Sequence, residues 1–60
     1  MTTVKWTPVR NTEREAQRKH GDVWTFKKAE AFQGVASVLV ESQDGVDLRW
    51  VKADRVEMVT

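Results

Sequence analysis

Apolar and polar positions alternate with period two along several stretches of this chain, and that period marks strands with one buried face. Residues 3–9 set Val4 and Trp6 on one face and Lys5 and Thr7 on the other. Pro8 cannot donate to a ladder, which limits this strand to a sheet edge or a strand end. Residues 22–28 set Trp24 and Phe26 inward, with Val23, Thr25 and Lys27 outward. Residues 28–34 read as a connector anchored by Phe32. The last ten residues predict a tight turn at 52–55 and a short strand. Val56 and Met58 share one face of that strand, and Glu57 and Val59 the other.

Residues 38–50, VLVESQDGVDLRW, place two apolar runs around a Ser-Gln-Asp-Gly cluster, the pattern of a β-hairpin. Loop length decides its register. A two-residue Asp44-Gly45 turn sets Val40 opposite Arg49 and Glu41 opposite Leu48, so both faces are mixed. A three-residue Gln43-Asp44-Gly45 loop pairs Val40 with Leu48, Val38 with Trp50 and Leu39 with Arg49. Ala36, Val38, Val40, Val46, Leu48 and Trp50 then share one surface, and burial favours this register. It leaves Glu41 opposite Asp47, a like-charge pair costing roughly 0.2–1 kcal/mol. Gly45 takes the left-handed position of the turn.

Between the first two strands lies NTEREAQRKHG. Thr12 and Glu15 have the spacing of a capping box, and Gly21 suits the position past a helix end. Lys19 and His20 fall where the helix dipole favours cations, and Glu15 and Lys19 form an i,i+4 pair. The expected helix spans residues 13–20. Ala16 is its one apolar residue, so the helix is expected to be exposed and frayed.

Five short strands, one helix and no second domain predict an all-β chain, with residues 1–60 forming one domain. The expected architecture is a five-stranded small barrel carrying the helix between strands 1 and 2, closed to hide its edges. A chain of 60 residues buries only about 60% of its unfolded surface. With no cysteine and one histidine, disulfides and thiolate zinc sites are excluded. Stability must come from the tryptophans and phenylalanines of the core, or from self-association.

This layout resembles the SH3-like small barrels. GDVWTFKKAEAFQG, residues 21–34, is similar to the opening segment of the plasmid-borne type II dihydrofolate reductases. That resemblance implies an SH3-like barrel whose active pore forms in a tetramer. The family carries a Val-Gln-Ile-Tyr stretch on a later strand, where this chain reads DLRWV, residues 47–51, without the Gln or the Tyr. LRWVKADRVEMV, residues 48–59, resembles the closing strands of KOW, Tudor and other SH3-like modules. These likenesses imply a fold that hosts many unrelated functions.

The charge is uneven. Residues 1–30 carry seven Lys/Arg against four Asp/Glu, or +3, and residues 31–60 carry three against five, or −2. This polarity can orient the molecule on a partner but falls short of a dedicated nucleic-acid binder. No stretch reads as a signal peptide or membrane span, and the absence of cysteine suits a cytoplasmic location. The initiator methionine and short length suggest a complete small reading frame of a bacterium, phage or plasmid.

No catalytic motif surrounds His20, which reads as a helix C-terminal cation or a solvent-exposed imidazole. Glu41, Asp44 and Asp47 cluster at the hairpin without calcium-loop spacing, so neither a metal nor a cofactor is expected. A methyl-lysine cage is disfavoured because Trp24, Phe26 and Trp50 are needed in the core. The favoured function is a non-catalytic module that binds a partner protein, with a second copy of the chain among the candidates. Leu39, Arg49 and Val51 on the outer strands, with Trp6 and Phe32, are its expected contacts. Val23 and Val59 add further outward apolar surface. The alternative is nucleic-acid binding through Arg14, Arg18, Lys19, Lys27 and Lys28. A reductase-like oligomer comes last.

Overall fold

The computed structural model describes residues 2–59; Met1 and Thr60, the ends of the expected domain, lie outside the described residues. The predicted alternation is realised in five strands: β1 (Thr3–Trp6), β2 (Val23–Phe32), β3 (Val35–Ser42), β4 (Leu48–Lys52) and β5 (Val56–Met58). A helix, α1 (Asn11–His20), joins β1 to β2, and a 3₁₀ turn (Ala53–Arg55) joins β4 to β5. All pairings are antiparallel, in one sheet of order β4-β3-β2-β1-β5. The chain is therefore mostly β with one short helix, as expected. No ladder joins β4 to β5 among the described residues, so the sheet is open.

Val4 and Trp6, which share one face of β1, both point into the core. They meet Trp24 of β2, which is fully buried; the Trp6 and Trp24 rings stand edge to face, 5.4 Å apart. Val38, Val40, Val51 and Ala16 complete the core, with Phe26, Ala53 and Val56 packed against it. Trp6 is thus a core residue and not part of an exposed contact surface. The reason is the inward face of β1, together with α1 laid across its end. Thr25, expected outward, is also buried, between Thr3 of β1 and Glu41 of β3.

The helix is longer and better fixed than its composition suggests. It starts after Arg10, whose N–H donates to Glu13 Oε1 at 3.0 Å, while the Val9 N–H donates to the same oxygen at 2.8 Å. The Thr12–Glu15 capping box does not form. An arginine side chain offers no acceptor, so only the Glu13 half of a box is present. Burial pushes the Glu13 carboxyl up, but these two bonds and the charges of Arg55 and Arg10 outweigh it and hold the group below its ordinary value. Arg55 reaches the same carboxylate at 3.4 Å, tying α1 to the 3₁₀ turn. The Gln17 side-chain amide donates to the Trp6 carbonyl, and Ala16 is buried. Polar tethers replace the missing apolar stripe. Glu13→Ala is expected to cost about 1–2 kcal/mol, as loss of a helix cap does. Thr12→Ala is expected to change stability by only a few tenths, and urea denaturation checks both.

β2 runs on through residues 28–32, where the sequence suggested a connector. Gln33 and Gly34 form a two-residue turn with φ of 51° and 81°, the left-handed pair of a type I′ hairpin. Phe32 lies opposite Val35 beside that turn and anchors nothing in the core. A bulge at Lys27, between Phe26 and Lys28, shifts the alternation, so that Lys28, Glu30 and Phe32 lie on the sheet face opposite Ala29 and Ala31.

The β3–β4 register differs from the expectation. Val40 lies opposite Arg49, Val38 opposite Val51, Leu39 opposite Trp50 and Glu41 opposite Leu48. Val51 is therefore buried, 2% exposed, while Leu48, Trp50 and Val46 are exposed. Arg49 turns onto the core side, half-buried against Asp47 at 3.0 Å. One residue of slip exchanges the faces of a strand. The cause lies in the loop. Ser42 Oγ accepts the N–H groups of Val46 and Asp47 and donates to Asp44 Oδ1, and the Ser42 N–H donates to the Asp47 carbonyl. This register also separates Glu41 from Asp47, giving Glu41 to Lys27 at 3.6 Å and Asp47 to Arg49.

Candidate functional site

The bulge and the hairpin register together assemble an apolar surface on the sheet face away from the core. Phe32 from β2 and Trp50 from β4 stand edge to face, 4.8 Å between centroids. They are 46% and 40% exposed, an uncommon degree for paired aromatics in a domain short of core. The Lys28 ammonium lies 5.8 Å from the Trp50 ring centre and 2.9 Å from the Glu30 carboxylate. Val35 and Leu48, both exposed, and half-buried Leu39 extend the surface along β3 and β4. Together these side chains make up the exposed apolar part of the sheet's outer face.

The expected partner-binding residues divide between the two faces. Phe32 and Leu39 belong to this surface, and Leu39 sits directly between Lys28 and Trp50. Arg49 and Val51 are on the opposite face, and Trp6 is in the core. Val23 is half-buried, and Val59 is exposed at the end of β5. The sequence reading missed Trp50, Leu48 and Val35. Their signal was present in the two-residue-turn register, which puts Leu48 and Trp50 outward.

The basic set is dispersed. Arg14 donates to Asn11 Oδ1 at 3.0 Å, and Arg18 lies 3.4 Å from Glu15. Lys19 is exposed on α1, while Lys27 and Lys28 pair with Glu41 and Glu30 on the sheet. Carboxylates paired with three of these five residues weaken any phosphate-attracting field, and no stacking platform lies on α1.

His20 is less exposed than its position at the helix end suggests; its side chain is 7% exposed. Its Nδ1 lies 2.7 Å from Asp44 Oδ2, while Asp44 Oδ1 accepts the Ser42 hydroxyl at 2.6 Å. Ser, Asp and His thus share one cluster, but both outer groups bind the aspartate. A nucleophile requires its base as a direct neighbour, and the Ser42 proton is already given to Asp44. The cluster is a clasp that holds the end of α1 to the hairpin loop. Its Ser42 bond, then the Val46 N–H and the His20 contact, lower the Asp44 pKa from 3.8 to about 2. Glu41, Asp44 and Asp47 each have a separate partner, and no cluster of three metal-ligating side chains occurs among the described residues.

No protein-family model, curated protein or solved structure matches this chain. Its chemistry is therefore argued from its own residues. No helix among the described residues is long and apolar enough to cross a membrane.

The clasp sets a pH dependence. A carboxyl lowered on folding contributes stability above its unfolded value, and the contribution is lost as pH falls through the folded one. The Asp44 contribution is complete above about pH 4–5 and disappears towards pH 2. Thermal midpoints of Asp44→Asn, measured from pH 6 to pH 2, are expected to fall less steeply than those of the wild type.

Proposed function

We propose that this chain is a non-catalytic SH3-like small barrel that recognises a partner protein through the outer face of β2, β3 and β4. The exposed Phe32–Trp50 pair, flanked by Val35, Leu39 and Leu48, carries this reading. Aromatic side chains at the centre of a patch are the usual anchors of protein interfaces. Lys28 and Glu30 on one side and Lys52 on the other give it a charged rim. The partner is expected to offer an apolar segment long enough to cover both rings. The SH3-like assignment rests on the strand order, in which β5 returns beside β1, and on the 3₁₀ turn before β5.

A photo-crosslinking amino acid at position 50 tests this in the cells that make the protein. The expected result is one dominant protein adduct from position 50 that is lost with Phe32→Ser and absent from position 12 on α1. Equal labelling from both positions overturns it. Nucleic-acid binding is the second reading, supported by Lys28 next to the exposed Trp50. Salt-sensitive amide shifts over residues 14–28 and 50, with a short single-stranded oligonucleotide, are its expected sign.

A further inference from the structure

The hairpin of β2 and β3 outruns its neighbour. β1 covers β2 at Val23, Trp24 and Thr25, and one more bond joins the Phe26 N–H to the Thr2 carbonyl. Beyond it, among the described residues, residues 28–32 pair with β3 on one side only. The type I′ turn makes Phe32 and Val35 a hydrogen-bonded pair, and such pairs alternate along an antiparallel ladder. The N–H and C=O groups of Ala29 and Ala31 are therefore aimed away from β3, at the open edge. Both residues are exposed, and their small side chains leave that edge accessible.

We propose that a second copy of this chain pairs with this edge, β2 antiparallel to β2 about a two-fold axis at Ala29. The charge pattern selects the partner and the register. Centred on Ala29, the Lys28 of each copy lies opposite Glu30 of the other, in the close pairs between hydrogen-bonded ones. Centred on Glu30, the same edge opposes two glutamates. The sequence Lys-Ala-Glu is thus complementary to itself in one register. The two Ala29 residues exchange both backbone bonds, and the two sheets become one. Symmetric pairing of one patch with itself is the commonest route to a homodimer. This pairing is made through the backbone of Ala29 and not through the Phe32–Trp50 rings, and it shares only Lys28 and Glu30 with the charged rim of the outer face.

Sedimentation equilibrium with charge exchange tests it. The wild type is expected to show a concentration-dependent dimer, and Lys28→Glu and Glu30→Lys each to weaken it roughly tenfold. An equimolar mixture of the two single variants restores a dimer, and so does the double variant K28E/E30K. Ala29→Pro removes an N–H that makes no bond within the chain, so it abolishes the dimer while amide NMR dispersion persists. A wild type that stays monomeric to roughly 1 mM overturns the proposal. That result would assign Lys28 and Glu30 to guarding the edge against pairing. A dimer equally strong in every variant overturns it as well.

Discussion

Trp24→Ala is expected to leave the chain unfolded at room temperature. Trp24 is fully buried, stands edge to face with Trp6, and lies 6.1 Å from the His20 ring in a second edge-to-face contact. Its Nε1 donates to the Gly21 carbonyl at 2.8 Å, fixing the chain where α1 turns into β2. Removing such a ring from a core costs about 3–5 kcal/mol. A domain of this size without disulfides has about 3–5 kcal/mol in total, so the loss equals the whole. Far-UV circular dichroism and amide NMR dispersion are expected to show an unfolded chain. Trp24→Phe keeps a ring against Trp6 and loses the bond to Gly21; it is expected to fold with a lower denaturation midpoint. A well-dispersed spectrum from Trp24→Ala would place the centre of the core elsewhere.

What could be read from the sequence follows from how each element is stabilised. Trp24 was legible from the alternation of β2, whereas Trp6, which shares the Val4 face of β1, was taken for an exposed contact because that strand carried too few apolar residues to fix its inward face. Gly21 marked the helix end, and Gly45 takes the left-handed φ of 74° expected of it. The second half of β2 carries Ala29, Glu30 and Ala31, exposed on both faces, and offered no burial pattern. It is a strand because a type I′ turn holds it against β3. The helix's place was legible but its firmness was not, because side chains distant in sequence hold it: Arg55 on Glu13 and Asp44 on His20. The outer aromatic face was missed for a related reason. Burial alone argued for Trp50 inward, whereas Ser42 and Asp44 fix the loop in the register that turns it outward.

That choice of register can be decided by two substitutions that should behave in opposite ways. Val51→Asn is expected to cost about 3–5 kcal/mol, and Leu48→Asn to stay within about 0.5 kcal/mol. Val51 is 2% exposed and lies opposite Val38 in the core, so an amide there loses apolar burial and finds no partner. Leu48 is 55% exposed opposite Glu41, where an amide remains hydrated. The three-residue loop register predicts the reverse, with position 48 intolerant and position 51 free. Urea midpoints of the two variants separate the alternatives without reference to any partner. The same result bears on function. If position 51 is the sensitive one, Trp50 between the two must face solvent, and the Phe32–Trp50 pair is held outward by the register of a loop more than by its own packing. That outer face depends on Ser42 and Asp44, which set the loop from outside the patch. Substituting either is expected to turn β4 and so carry Leu48 and Trp50 away from that face, although neither of those residues is itself changed.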